Sequence, residues 1–489
     1  MKTRKWIGFL SLGALFSLAA CGGGIGDGSG SGDGSTSAYF WAANMTTDEY
    51  YQTKATKLYT GTHCVVWAED SAGVSYDTAR DMAREYDNYI HNTVVNAVGL
   101  KGFYYQSKFF NDIMELGDWM TDRDGKLTIL LLDIKDGFNP PTNRAYVGGY
   151  FTNVNLYADG IFSGHRSNKK DMIYIDTNPG LTNEKYIQSA RETLAHEMQH
   201  LVNELTSDVK RGGSQMDTWI NEGISLQMEQ LYRKKRGLSP EYIQDNISWF
   251  NGGSGSKIKD GNNFYVWGGA GAGDSILDEY ATAYLFFQWL YQQNNKSTAT
   301  FYNIVTSTYP DYRAVVEVAQ NIKPLLNSWE VLLRTWLAAN YIQDSTSLYG
   351  YKNAFSLTKQ TTSATSVNLK PGEAVYSKIN GNYSRTDTGN IKYVGLKTDD
   401  IQVGSSSGHN FTTSDGDHLL VFNANTSRSG NAEDGKPTGV ASVIPASMSI
   451  APSSAPQESY RIDARDLLGR RDRDRLPTIM LAPLGSGDE

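Results

Sequence analysis

A short apolar strand followed by a long helix with two histidines is the feature that most constrains this fold. The pattern predicts a strand over Met172–Asp176 and a helix over about residues 183–203. Within that helix, His196 and His200 lie one turn apart on one face, with Glu197 between them. Apolar residues surround the three, which favours a buried helix over an amphipathic surface helix.

Two imidazoles at this spacing can bind one Zn²⁺ ion, while a glutamate offset from their face can reach a water on the metal without binding the metal itself. A catalytic zinc needs a third protein ligand and an open position. Asn203 and Thr206 stand where the extended metzincin motif requires Gly and His, so that class is excluded. Glu204 lies too far along a straight helix to bind the same metal ion as the two histidines. Glu222, on a second helix, could complete a His₂Glu set.

The other patterns indicate an α+β domain, a helical half and a β-rich region. Strands are predicted at about residues 63–67, 126–133 and 145–151, and a helix at about 76–95. Further helices are predicted at about residues 221–232, 279–293, 300–306, 312–320 and 326–342. We therefore predict a folded α+β domain over 38–355, an all-β domain over 356–450 and a polar, disordered tail over 451–489.

The N-terminal segment has the composition of an export signal followed by a tether. Residues 1–20 join a basic start to an apolar run that is short for a membrane span. Small residues directly before Cys21 resemble the bacterial lipobox, which implies lipid attachment to Cys21; an ordinary secretory signal with an incidental cysteine is the alternative. Residues 21–37 are rich in glycine and serine, which predicts a flexible tether.

This N-terminal pattern predicts a lipid-anchored protein of the bacterial cell envelope whose membrane contact is the lipid on Cys21. Gly22 follows that cysteine where some bacteria place an aspartate as retention signal, which favours the outer membrane or the cell surface.

Charge and cysteine content exclude several other classes of protein. The formal net charge is −8, so no general attraction to nucleic acid is expected and no such partner is predicted. Two cysteines rule out a disulfide-stapled scaffold and a cysteine-built metal cluster. If Cys21 carries lipid, Cys64, in an apolar run, is predicted to be a buried free thiol.

The segments HEMQH (196–200) and INEGIS (220–225) together resemble the gluzincin class of zinc peptidases. The surrounding motifs are more similar to the hyicolysin-like neutral metallopeptidases than to the thermolysin family. These motifs lie at 122–126, 147–151 and 280–287. The resemblance covers about residues 40–345. It implies a zincin-like domain with a mixed sheet, an active-site helix and a helical C-terminal lobe, ahead of the all-β domain.

The resemblance also implies roles for individual residues. Zn²⁺ would be bound by His196, His200 and Glu222. Glu197 would be the general base that activates zinc-bound water, and the enzyme would be an endopeptidase that hydrolyses peptide bonds of proteins or peptides outside the cytoplasm.

The resemblance implies that a tyrosine donates a hydrogen bond to the oxyanion of the tetrahedral intermediate, and two tyrosines are candidates. Tyr280 and Tyr284 are one helical turn apart, and either could face the metal. The alternative is that both pack in the helical core.

The outer-shell partner of the metal histidines is left open by the sequence. Leu226 stands where the thermolysin pattern has an acidic residue, so another group must accept a hydrogen bond from a metal histidine. The candidates are Ser225, Asp217, Glu229 and a backbone carbonyl group.

Two further alternatives concern substrate binding and activity. Residues 148–151 could be an edge strand that pairs with extended substrate, or a plain core hairpin. The rival to an enzyme is a surface-binding lipoprotein with an inactive peptidase-like scaffold. The presence of both Glu197 and Glu222 favours the enzyme.

Overall fold

The structure is a computed structural model. It describes residues 36–47, 49–98, 126–139, 146–156, 159–160, 164–205, 215–251, 264–266, 276–362, 366–378, 383–385, 387–396, 401–403, 409–411, 418–426, 439–442 and 478–481. The predicted signal peptide, Cys21 and most of the predicted tether lie outside these ranges, as does most of the motif at 122–126. Within the described ranges, no helix has both the length and the apolar character needed to span a membrane.

A mixed seven-stranded sheet forms the framework of the first half of the chain. Its strands, numbered in chain order, are β1 (Ser37–Asn44), β2 (Glu49–Thr60), β3 (Cys64–Glu69), β4 (Leu127–Leu132), β5 (Val147–Phe151), β6 (Met172–Asp176) and β15 (Thr478–Leu481). Their order across the sheet is β1-β2-β3-β4-β6-β5-β15. Strands β3, β4 and β6 run parallel, whereas β5 is antiparallel to both β6 and β15.

The central strands are continuous apolar runs because both faces of the sheet are covered. All six residues of β4 are buried, as are all five of β6. These strands match the sequence predictions to within one residue at each end. The hairpin of β1 and β2 was not predicted, since its side chains are mixed and only partly buried.

Helices fill the space beside the sheet and continue beyond it. They are α1 (Tyr76–Glu85), α2 (His91–Val98), α3 (Glu184–Asn203), α4 (Thr218–Arg236), α5 (Gln244–Phe250), α6 (Ile276–Gln293), α7 (Ala299–Val305), α8 (Tyr312–Ile322) and α9 (Trp329–Ile342). A π-helical turn over Tyr86–Ile90 joins α1 to α2, where the sequence predicts one helix. The predicted buried free thiol is confirmed, since Cys64 is fully buried and unpaired on β3.

The histidine helix α3 is fixed at its start and along its sheet-facing side. The Asn183 side chain caps it by accepting a hydrogen bond from the Lys185 amide at 3.0 Å. Gly149 of β5 lies against it so closely that a Cβ there would be 2.8 Å from the Thr193 methyl group. Strand β5 therefore runs directly along the helix that carries the histidines.

The β-rich region packs on the helical half. Its strands are β7 (Ser366–Leu369), β8 (Ala374–Lys378), β9 (Tyr383–Arg385), β10 (Ile391–Leu396), β11 (Ile401–Val403), β12 (His409–Phe411), β13 (His418–Asn423) and β14 (Gly439–Ser442). One face of the β11-β10-β13-β8 sheet joins the main core through Tyr376, Val394 and Phe422. The Tyr376 hydroxyl donates to the Leu337 carbonyl of α9 at 2.8 Å. The described strands agree with the predicted β-rich composition, while an independent all-β domain stays a prediction.

The tail contains an element that the sequence reading missed. Thr478–Leu481 forms β15 at the edge of the main sheet, so the prediction of a disordered tail over 451–489 is wrong for these four residues. The physical reason is local: four non-glycine, non-proline residues can pair with the open backbone edge of β5. Because the residues around them are mostly polar, the sequence pattern did not indicate this short strand.

We predict that Gly223→Ala destabilises the protein, although alanine is favoured over glycine inside a helix by about 0.5–1 kcal/mol. A Cβ at position 223 would lie 2.3 Å from the Phe287 ring of α6. The overpacking should lower the free energy of unfolding by about 1–3 kcal/mol in denaturant titrations. In the control, Gly223→Ala combined with Phe287→Leu should be more stable than the sum of the single changes predicts. A Gly223→Ala protein more stable than the parent would contradict the packing.

Candidate metal centre

Helix α3 places three polar side chains of the predicted motif in the interior. His196 and Glu197 are fully buried and His200 is 1% exposed. Their neighbours Leu194 and Leu201 are buried with them, since this part of α3 lies between the sheet and α4. Burying three ionisable groups together is costly unless they are paired or bind a metal.

Helix α4 brings the third predicted ligand to the two histidines. One carboxyl oxygen of Glu222, Oε2, lies 3.1 Å from His196 Nε2 and 3.5 Å from His200 Nε2. The two imidazole centroids are 4.7 Å apart and their planes are inclined at 70°. The packing of α3 on α4 thus brings two nitrogens and one carboxyl oxygen together at one point.

This donor set fits a single metal ion. Ligand atoms at about 2.0–2.2 Å from a tetrahedral ion are about 3.3–3.6 Å from one another, close to the separations found here. A ligand atom from each of His196, His200 and Glu222 lies within 4.8 Å of the others. In the described part of the chain no other group of His, Cys, Asp or Glu meets this spacing. Two histidines and one carboxylate leave a fourth position open, the arrangement of catalytic sites.

The contacts around the two imidazoles show which of the candidate residues are hydrogen-bond partners of His196 and His200. His196 Nδ1 lies 2.7 Å from Glu229 Oε1, and the ring nitrogen donates because a carboxylate only accepts. The Ser225 hydroxyl lies 3.2 Å from Nδ1 and 3.4 Å from Nε2 of His200, and it also contacts the Gln199 side chain. Asp217 instead lies at the start of α4, where it accepts from the Trp219 indole at 3.3 Å. Each of the two histidines therefore has its own partner on α4.

The carboxyl groups around His196 determine the charges of the metal-free cluster. Burial alone would lower the pKa of His196, but hydrogen bonds to Glu222 and Glu229 raise it to about 9. Burial lowers the pKa of His200. Burial would raise the pKa of Glu222, yet the two histidines hold it well below its usual range. The carboxyl groups thus favour a positive charge at His196, which a proton or a bound cation can supply.

Glu197 faces away from these pairs and has a different environment. Neither of its carboxyl oxygens has a hydrogen-bond partner among the described residues, although the residue is fully buried. The Phe151 backbone N–H lies near this carboxyl group and works against the rise of its pKa, without forming a hydrogen bond of ordinary geometry. Burial raises the pKa of Glu197 to about 8. A buried, unpartnered carboxyl group beside a metal-ligand cluster is suited to exchange a proton with a water there.

The two candidate tyrosines lie on α6 and are both buried. Tyr284 is fully buried, and its hydroxyl accepts from the Ile243 amide at 3.2 Å. Tyr280 is 5% exposed and lies one turn earlier on the helix. The Tyr284 hydroxyl is thus engaged in packing between α5 and α6, while the choice of an oxyanion donor stays a prediction.

Comparison with known proteins shows that the chain is similar to a neutral metalloprotease. The chain is 29% identical over 325 residues to neutral metalloprotease ShpI of Staphylococcus hyicus, a match that covers 64% of this chain and 65% of the relative. The chain thus spans slightly less than two thirds of the length of the relative it matches. No family profile matches the chain.

Structural comparison gives weaker likenesses. Native yeast LTA4 hydrolase aligns at 13% identity and a TM-score of 0.33, covering 63% of this chain and 49% of that chain. Its complex with bestatin aligns with the same identity and TM-score, covering 61% and 44%. A TM-score of 0.33 is too low to relate the two folds. The sequence relative confirms the predicted resemblance: this chain is similar to hyicolysin-like neutral metallopeptidases.

Proposed function

We propose that this chain is a zinc-dependent endopeptidase that hydrolyses peptide bonds of proteins or peptides outside the cytoplasm. The observation that carries the proposal is the buried convergence of His196, His200 and Glu222 beside the unpartnered carboxyl group of Glu197. A nitrogen-rich set of three ligands with an open position favours zinc over calcium or magnesium, which prefer oxygen ligands. The neutral metalloprotease relative supports the same reaction class.

Each polar group at the site has a role in this proposal. Zinc, when bound by His196, His200 and Glu222, would polarise the scissile carbonyl group and lower the pKa of a water molecule. Glu197 would take a proton from the attacking water and transfer it to the leaving amine. Glu229 would hold the imidazole of His196 in the tautomer that offers Nε2 to the metal.

The proposed location rests on the N-terminal sequence. Cys21 would carry the lipid, and residues 21–37 would hold the folded part away from the membrane of the bacterial cell envelope. The rival function is a surface-binding lipoprotein whose peptidase-like scaffold is inactive, and the following test discriminates between the two.

We predict that Glu197→Gln lowers kcat for a peptide substrate by about 10²–10⁴-fold while zinc binding persists, because the variant loses the proton acceptor but none of the metal ligands. The measurement pairs peptide cleavage with metal content by mass spectrometry. Glu184→Gln, an isosteric change at an exposed position of the same helix, is the matched control and should behave like the parent. Removal of zinc with a chelator should abolish cleavage, and re-addition should restore it.

Glu197→Gln with parental kcat would reject the proposed mechanism. A parent chain that binds zinc and cleaves no protein or peptide would favour the inactive scaffold.

We expect Glu229→Gln to weaken zinc binding by about 10-fold or more, because outer-shell acceptors of metal histidines typically contribute 10–100-fold to metal affinity or activity. Competition titration with a chromophoric chelator would measure the dissociation constant. Glu241→Gln, which alters a surface pair with Lys234 at 3.5 Å, is the control and should leave it unchanged. Equal zinc affinity in parent and Glu229→Gln would show that the contact with His196 does not support the metal.

A matched pair of variants tests which of the two tyrosines donates a hydrogen bond to the oxyanion. Because Tyr284 is fully buried and its hydroxyl is held at the start of α5 by the Ile243 amide, we propose Tyr280 as the oxyanion donor. Tyr280→Phe should lower kcat by about 10²–10³-fold with little change in KM, while Tyr284→Phe should change stability more than kcat. A large loss of kcat in Tyr284→Phe alone would reverse the assignment.

A further inference from the structure

Strand β5, which runs along the active-site helix, has its outer edge filled by a distant part of the same chain. Thr478–Leu481 pairs with it antiparallel, with Thr478 opposite Phe151 and Ile479 opposite Tyr150. Building on the proposed function, we infer that this segment occupies the edge where an extended peptide would pair with β5, and so acts as an intramolecular competitor of peptide substrate.

The first support is the position of β5 relative to the candidate metal centre. Gly149 lies against Thr193, one turn before the pair of His196 and Glu197 on α3. The backbone amide group of Phe151, at the end of β5, lies near the Glu197 carboxyl group. A strand added to the outer edge of β5 therefore extends past the group proposed to activate water, and β15 itself runs close to α3.

The second support is the backbone chemistry of the edge. An edge strand presents unpaired N–H and C=O groups that accept an extended peptide of many sequences, because the hydrogen bonds involve main-chain atoms. The strand β15 uses these same groups through its antiparallel register with β5. Substrate and β15 cannot pair with one edge at the same time, so their binding is mutually exclusive.

The third support is that the pairing is short enough to exchange. Only four residues form β15, and the register shifts between Met480 and Leu481. Pro477 and Pro483 flank the segment and lack the N–H needed to continue a ladder. Covalent linkage can give such a segment an effective concentration of about millimolar, so a weak strand still competes with dilute substrate. Short pairing and covalent linkage together indicate a competitor that substrate can displace.

The test compares two double variants of the full chain. Ile479→Pro with Met480→Pro removes the backbone N–H groups of the two central residues of β15, whereas Ile479→Ala with Met480→Ala retains them. At a substrate concentration well below KM, we expect the proline variant to cleave a short fluorogenic peptide about 5-fold faster than the parent or more, through a lower KM. The alanine variant should stay within about twofold of the parent. Equal KM in the proline variant and the parent, or a loss of activity with a lower melting temperature, would overturn the inference and make β15 an ordinary structural strand.

A binding measurement tests the same inference without catalysis. In the Glu197→Gln background, a labelled peptide of residues 476–484 should bind a variant that lacks residues 478–489. It should bind at least about 10-fold more weakly to a control that lacks only 482–489 and so keeps β15. Equal binding to both variants, or no binding to either, would overturn the inference. Peptide binding as expected, with no cleavage by any variant that retains Glu197, would instead reject the proposed function and leave the strand exchange intact.

Discussion

The packing of α3 on α4 is the constraint on which the site depends. Helix α3 supplies two imidazoles on one face, and α4 places the Glu222 carboxyl group within 3.1 and 3.5 Å of them. Glu229 and Ser225 lie on the same face of α4; Glu229 contacts the other nitrogen of His196, and Ser225 contacts the ring of His200. One interface between two helices thus positions both the three proposed ligands and the side chains that contact them. Gly223 allows α6 to approach this interface from the opposite side of α4.

The electrostatics of this interface give the cluster its preference for a cation. Two carboxyl groups face His196 in a fully buried setting, and they raise the pKa of its imidazole to about 9. A buried carboxylate is costly without a compensating positive charge. A proton fills that need in the metal-free chain, and a metal ion would fill it with a higher charge. The same burial keeps a proton on Glu197 to higher pH than in water, so one environment suits one glutamate for binding and the other for proton transfer.

The sequence predicts the parts of this site that depend on local spacing. Strand β6, helix α3 and the pair His196 and His200 follow from apolar periodicity and a four-residue spacing. The sequence offers Glu229 and Ser225 among the candidate partners of the histidines but does not choose between the candidates, because the contact of Glu229 with His196 depends on how α4 crosses α3. The signal that favours Glu229 is its position two helical turns after Glu222, which puts both carboxyl groups on one face of α4. Strand β15 was missed because its pairing partner is distant in the chain and its own run is only four residues long.

The central claim is that His196, His200 and Glu222 bind one zinc ion together. The most direct measurement is a crystal structure of the zinc-loaded chain with anomalous diffraction recorded on both sides of the zinc absorption edge. We predict one anomalous peak that is bonded to both Nε2 atoms and to the Glu222 carboxylate, with ligand distances of about 2.0–2.2 Å. A zinc-loaded chain in which the ion lies elsewhere, or in which Glu222 remains outside its coordination sphere, would contradict the account.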